Sequence, residues 1–114
     1  MFRFDEERDE YVAQLNGVEL VCDEPQDGYE EEAQKLSKLY FEKLPEMIEF
    51  MLPELQQVYG EIDKAELPQL LGKPTINLST FQIMYMEQAL DDAHIIEFEY
   101  GEDFEEFFYF NIDG

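Results

Sequence analysis

The sequence predicts a single α+β domain over residues 1–114, in which an antiparallel sheet of about five strands carries two helices on one face, in the order ββ-αα-βββ. Period-two apolar patterns at both ends of the chain, a helical repeat in the middle and a length typical of one domain support this prediction. With 45% hydrophobic and 15% aromatic residues, the chain can bury enough apolar surface to offset the entropy lost on folding.

The N-terminal strands are predicted from alternation and from one turn. Phe alternates with charged residues over 2–5, which is a short strand signal. Two apolar segments, 11–15 and 18–22, then flank Asn16 and Gly17. Since Asn and Gly both tolerate the positive φ of a type I′ turn, we predict a β-hairpin here.

The middle of the chain predicts two helices with a break between them. Apolar residues recur at helical spacing over 29–44, with glutamates near the start and lysines toward the end, as the helix dipole favours. Pro45 interrupts the hydrogen-bond ladder and suits a first helical position, so a second helix is expected from there to Gly60, bent at Pro53. The connector that follows is expected to hold one helical turn, at 67–71.

Period-two patterns return after the helices and predict the remaining strands. The pattern over 76–85 changes phase, which a bend or bulge near Ser79 would absorb. The stretch 95–112 predicts a hairpin closed by a three-residue loop at 101–103, because Gly101 can take a positive φ.

The register of this C-terminal hairpin follows from its loop and places Tyr100 opposite Phe104. One face then forms part of the core, and it comprises Ile96, Phe98, Tyr100, Phe104, Phe108 and Phe110, with His94 at its entry. The other face is the candidate partner-binding surface, and it comprises Glu97, Glu99, Glu105, Phe107 and Tyr109. Aromatic anchors ringed by acid suit a basic protein partner. Alternatively, the helices cover this face as well, the rings fill the edge of the core, or a homo-oligomer forms through it.

The charge of the chain restricts its partners. Asp and Glu number 29 against 7 Lys and Arg, for a formal net charge of -22. Nucleic acid and anionic membrane surfaces would repel such a protein, so we predict neither as a partner and favour a basic protein. A single cysteine, no apolar segment behind Met1 and no apolar run near the roughly 18 residues of a membrane span predict a cytoplasmic protein.

The residues that could support chemistry are few. A calcium-loop pattern begins at Asp23 but fails, because Pro25 and Gln34 stand where ligands are required. His94 has no histidine or cysteine partner in the pattern, and Cys22 lies in an apolar strand, so both favour structural roles. We predict no enzymatic activity, no catalytic residue, no metal site and no cofactor.

Several segments resemble small bacterial domains of unknown function that occur among immunity proteins of polymorphic toxin systems. They are the hairpin at Asn16-Gly17, the helical middle, Leu78-x-x-Phe81-x-Ile83, Ile96-x-Phe98-x-Tyr100 and the ending Phe110-Asn-Ile-Asp-Gly. The resemblance implies a cytoplasmic protein that binds and blocks a cognate toxin. These positions are structural, so the resemblance transfers no functional residue.

The leading expectation is therefore a non-enzymatic, acidic, protein-binding domain, an immunity-type inhibitor that occludes a basic toxin. One alternative is a nucleic-acid mimic that occupies the groove of a DNA-binding protein, which the same charge would favour. A second is a small enzyme or metal-binding protein built around His94. A third is adaptation to high salt, which the many large apolar residues disfavour.

Overall fold

The computed structural model describes residues 1–113 and shows one seven-stranded sheet with helices on one of its faces. Gly114 lies outside this range. The elements are β1 (Arg3–Asp5), β2 (Glu10–Leu15), β3 (Val18–Cys22), α1 (Tyr29–Tyr59), α2 (Leu67–Leu71), β4 (Thr75–Asn77), β5 (Gln82–Tyr85), β6 (Ile95–Tyr100) and β7 (Phe107–Asp113), with a 3-10 turn at Glu102–Phe104. The α+β class is confirmed, whereas the predicted strand count and order are wrong.

The sheet follows the chain, because each strand pairs with the next in the order β1 to β7. All pairs are antiparallel except β3 with β4, which is parallel. A parallel pair needs a crossover, and α1 and α2 lie in this connection. The extra strands have two sources: β1 pairs with β2 in its own right, and the segment 76–85 divides at a turn instead of forming one bulged strand.

The turn between β2 and β3 confirms the first predicted hairpin. Asn16 and Gly17 have φ values of 52° and 78°, as a type I′ turn requires. The Asn16 side-chain amide also donates a hydrogen bond to the Ser37 hydroxyl of α1, at 2.9 Å. The turn therefore sets the strand register and attaches the hairpin to the helix.

A single 31-residue helix replaces the two predicted helices, and the predicted break at Pro45 is wrong. Pro45 and Pro53 both lie on its exposed side, where water can hydrate the carbonyl groups that they leave unpaired. The buried stripe continues past both prolines, from Tyr40 through Met47 to Leu55. Packing of this stripe on the sheet holds the helix together, which local sequence rules do not take into account. The predicted helical turn at 67–71 is confirmed as α2.

The core lies between α1 and one face of the sheet. Its main members are Val18, Leu20, Leu36, Tyr40, Met47, Met51, Leu55, Ile76, Ile83, Tyr85, Ile96, Phe98 and Phe104. Side chains alternate along each strand, so the residues between these sheet positions lie on the face opposite the helices. Among residues 1–113, no helix is long and apolar enough to cross a bilayer.

The C-terminal hairpin forms in a different register from the predicted one. Tyr100 pairs with Phe107 instead of Phe104, and Ile96 pairs with Ile112. The loop is longer because Phe104 turns into the core, where its ring lies 4.8 Å from that of Tyr100. Positive φ values of 53° and 58° at Asp103 and Phe104 make this turn possible.

Other predictions for the core face of this hairpin have mixed outcomes. Ile96, Phe98, Tyr100 and Phe104 are buried, as predicted, and Phe110 is half-buried against the core. Phe108 lies on the opposite face, because it pairs with Glu99 in the observed register. The predicted position of His94 on the core face is wrong, since its side chain is 41% exposed.

Candidate functional site

The face of the sheet that the helices leave uncovered carries two of the predicted partner-binding residues. Glu97 and Glu99 alternate along β6 with Ile96, Phe98 and Tyr100, which are buried beneath α1. Both carboxylates therefore lie on the uncovered face. The Asn111 side-chain amide of β7 contacts Glu97 at 3.4 Å.

Phe107 lies on the other face, so the structure does not bring it together with Glu97 and Glu99. Its ring centroid is 5.6 Å from Phe98 and 5.8 Å from Phe50 of α1, beneath the helix. The change of register that buries Phe104 also places Phe108 beside Glu99 on the uncovered face. The sequence pattern thus assigned both Phe107 and Phe108 to the wrong face.

Tyr109 protrudes from β7 at an irregularity in the ladder. The pairing between β6 and β7 shifts between Glu97 and Glu99, and Tyr109 has a φ of 56° at this bulge. Its side chain is 76% exposed, and its ring lies 5.8 Å from that of Phe108. Glu105, in the connection before β7, is also exposed. We call Glu97, Glu99, Glu105, Phe108 and Tyr109 the edge surface.

β7 forms one edge of the described sheet, because its only partner in the strand order is β6. It is seven residues long, compared with three for β1 at the opposite edge. The outer backbone groups of such a strand can pair with an added strand. The bulge at Tyr109 divides the edge and limits how long a continuous ladder can become.

The carboxylates of the edge surface are not neutralised within the chain. Over residues 1–113, ion pairs with Lys or Arg involve six of the 29 acidic residues, which are Glu10, Glu19, Glu32, Glu46, Glu49 and Asp103. Within the part of the chain that the structure describes, Glu97, Glu99 and Glu105 form no such pair. Their negative charge is therefore available to a partner.

The opposite end of the uncovered face differs in its charge. Arg8 lies 2.8 Å from both Glu10 and Glu19. Although partial burial acts to raise the pKa of Glu19, hydrogen bonds from Arg8, Gln14 and Thr75 hold that pKa below its ordinary value. Within residues 1–113, the carboxylates of Glu10 and Glu19 are therefore paired with a cation, whereas those of Glu97 and Glu99 on β6 are not.

His94 belongs to a hydrogen-bonded loop between β5 and β6. Its Nδ1 lies 2.8 Å from Asp91, which also accepts hydrogen bonds from the Tyr59 hydroxyl at 2.6 Å and the Gln88 amide at 2.9 Å. The bond from Tyr59 is the main cause that holds the pKa of Asp91 well below its ordinary value. These contacts give Asp91 the role of ordering the loop, and the ionised carboxylate accepts hydrogen bonds from its neighbours, with His94 Nδ1–H as one of the donors.

The remaining candidates for chemistry give no assembled site. Cys22 is buried, and this burial raises the pKa of its thiol, which disfavours the reactive thiolate. Over residues 1–113, no three His, Cys, Asp or Glu side chains are grouped so that they could hold a metal ion.

A cavity of about 620 Å³ lies between the start of α1, the turn before β5 and the loop after β6. We call it the aromatic pocket, and its lining residues are Asp27, Gly28, Tyr29, Glu32, Leu78, Phe81, Tyr100, Gly101, Glu102 and Asp103. Sequence reasoning missed it because three distant segments supply these residues. The change of phase in the apolar pattern at Ser79 and Thr80, just before Phe81, was the one local signal that could have drawn attention to it.

Comparison with known proteins yields no matching family model, no matching curated protein and no matching solved structure. Function is therefore inferred from the geometry and charge of the edge surface and the aromatic pocket.

Proposed function

We propose that the chain is a non-enzymatic binding protein that occludes a basic protein partner through its edge surface. An immunity-type inhibitor acting on a basic toxin in the cytoplasm is the form of this function that we favour. The observation that carries the proposal is that Glu97 and Glu99 form no ion pair within residues 1–113, while Glu99 pairs across the ladder with Phe108, whose ring lies 5.8 Å from the exposed Tyr109.

The edge surface combines the two contributions that such an interface needs. The carboxylates attract a basic partner over distance and raise its rate of association, most strongly at low salt. Tyr109, which is 76% exposed, supplies a large aromatic contact that a partner can bury. The free edge of β7 adds backbone groups that can orient a partner strand.

The alternative functions have less support. A nucleic-acid mimic requires carboxylates arranged in one row, whereas the exposed acidic residues lie on the helix, in the loops and on the uncovered face alike. An enzyme built around His94 requires a reacting group beside the imidazole, and the nearest partner of that ring is the loop-ordering Asp91.

Coexpression tests the proposed function. The chain is produced in a bacterial host together with the product of each neighbouring reading frame, and growth and complex formation are measured. We expect one basic product to inhibit growth when expressed without the chain, and to form a stable complex in which growth is restored. If no neighbouring product both inhibits growth and binds the chain, an immunity-type inhibitor is excluded.

Variants then locate the interface. The double variant Glu97→Gln/Glu99→Gln should associate with the partner about tenfold more slowly at low salt, with a smaller difference at high salt. The matched control is Glu42→Gln/Glu61→Gln, which removes the same charge from exposed positions on and just after α1. Equal association rates for the two double variants would place the interface elsewhere on the chain.

A further inference from the structure

The aromatic pocket has an apolar floor made by rings from three segments. Phe81 and Tyr100 meet edge to face, with ring centroids 6.0 Å apart and an interplanar angle of 82°. Tyr29, the first residue of α1, lines the same cavity. Ring faces of this kind attract cations, because the π-electrons make the faces negative.

Phe81 is held in an unfavourable conformation that keeps its ring outside the core. Its φ is 58°, which is a genuine outlier for a bulky side chain, and 58% of the residue is exposed. The Asn77 side chain fixes this turn by accepting hydrogen bonds from the backbone N–H groups of Ser79 and Thr80, at 2.9 and 3.1 Å. Strain of this kind persists where the surroundings impose it, and it is concentrated at binding sites.

Carboxylates surround this aromatic floor. Asp27, Glu32, Glu102 and Asp103 all line the cavity. Lys35 reaches Asp103 at 2.7 Å and Glu32 at 3.3 Å, whereas Asp27 and Glu102 form no ion pair within residues 1–113. The negative charge of the acidic side chains near the first turn of α1 is larger than the partial positive charge of the helix terminus, so the surroundings of the pocket are negative.

The Tyr100 hydroxyl is almost without a partner. Only 6% of this residue is exposed, yet its hydroxyl makes just one long contact, 3.5 Å to the Asn77 carbonyl oxygen. A hydroxyl hydrogen bond is normally about 2.7–2.8 Å long, so this group retains most of its capacity. Burial raises the pKa of Tyr100, and the negative charge of Glu32 raises it further, so the hydroxyl remains protonated and adds no charge to the pocket.

We propose that the aromatic pocket receives an arginine side chain of the basic partner. The inference rests on the proposed function and adds the residue type that is recognised. A guanidinium group stacks on aromatic rings and donates several hydrogen bonds in its plane, so it can stack on Phe81 and pair with Glu102, both of which line the pocket. A lysine ammonium is more strongly hydrated and does not stack, so arginine is preferred.

Two short peptides test this proposal without knowledge of the partner. The probe is acetyl-Gly-Arg-Gly-amide, and the matched control replaces arginine by citrulline, which has nearly the same shape but no charge. Backbone amide shifts are followed by NMR during titration. We expect saturable shifts at Gly28, Phe81 and Gly101, with at least about fivefold weaker binding of the citrulline peptide. Equal binding of both peptides, or shifts spread over all acidic surfaces, would overturn the proposal.

Variants of the chain identify the pocket residues. Phe81→Asn removes the ring and leaves a residue that tolerates the left-handed backbone, while Glu102→Gln removes one charge from the rim. Each should weaken binding of the arginine peptide by about fivefold or more, whereas Glu42→Gln, on the exposed side of α1, should not change it. Unchanged binding by Phe81→Asn would rule out the aromatic floor as the recognition element.

The two proposals fail in different ways. Absence of any basic partner in the coexpression test leaves the peptide titration fully interpretable, because the peptide is a defined probe. Conversely, a partner that binds the Phe81→Asn variant as tightly as the natural chain would exclude the pocket and leave the edge surface as the interface.

Discussion

The hydroxyl oxygens of Tyr40 and Tyr85 lie 2.8 Å apart in the core, and this hydrogen bond joins α1 to β5. Both side chains are buried, so if one hydroxyl is removed, water cannot take its place as the hydrogen-bond partner of the other. Burial raises the pKa of Tyr40 to about 12 and that of Tyr85 well above its ordinary value. The pair therefore links two elements that are far apart in the chain.

Removal of one member of this pair should destabilise the protein more than removal of both. Tyr85→Phe leaves the Tyr40 hydroxyl buried without its partner and should lower the free energy of unfolding by about 1–3 kcal/mol. The double variant Tyr40→Phe/Tyr85→Phe should recover most of that loss, because no polar group is then left unpaired. Urea unfolding measures both, with the exposed Tyr109→Phe as control. Additive losses in the double variant would contradict this account.

The same tyrosines predict a loss of stability at alkaline pH. In the folded chain the pKa of Tyr40 is about 12, compared with an ordinary value of 10.0, so the unfolded chain releases this proton first. The stabilisation is fully present below about pH 10 and is lost as the pH rises from there through about 12. Urea unfolding at a series of alkaline pH values should show the decline, and Tyr40→Phe/Tyr85→Phe should reduce its slope. An unchanged slope would show that other groups cause the decline.

Replacement of Phe81 should separate stability from binding. Asn tolerates the φ of 58°. The free energy of unfolding of Phe81→Asn should therefore equal that of the natural chain or exceed it by up to about 1 kcal/mol. Phe4, which is also exposed and packs on Tyr11 at 5.2 Å, has no positive φ, so Phe4→Asn should be destabilising. Thermal and urea unfolding of the two variants test the contrast. Clear destabilisation by Phe81→Asn would mean that the ring supports the fold.

Replacement of Pro45 should stabilise the long helix. Pro45→Ala restores an N–H group that can bond to the carbonyl of Phe41, and its side is exposed, so no core contact is lost. We expect the free energy of unfolding to rise by about 1–3 kcal/mol. Lys38→Ala, at an exposed position about two turns earlier, serves as the control for a change in helix propensity. A less stable Pro45→Ala variant would show that the sheet requires the proline geometry.

Sequence patterns predicted a feature correctly where the interactions that form it join residues close together in the chain. The turn at Asn16 and Gly17 depends only on their φ preferences, so its hairpin could be predicted. The helical turn at 67–71 is likewise set by Pro68 near its start and Gly72 at its end.

Tertiary contacts decided the features that the sequence patterns placed wrongly. Burial of Phe104 lengthened the last turn, and this shifted every later partner of β6, so Phe107 and Phe108 exchanged the faces predicted for them. Packing of Met47 and Leu55 on the sheet carried α1 through Pro45 and Pro53. The aromatic pocket could not be anticipated, since it depends on how the three segments that line it are brought together.

The edge formed by β7 also determines how copies of the chain behave toward one another. β7 is a seven-residue strand rich in aromatic residues at the edge of the sheet, and it resembles the segments from which fibrils grow. The kink at Tyr109 and the formal charge of -22 oppose this, because each copy repels the next and presents an interrupted ladder. Acidification toward the isoelectric point of about 4.1 removes the net charge and with it this repulsion, and the kink at Tyr109 is then the remaining safeguard against aggregation.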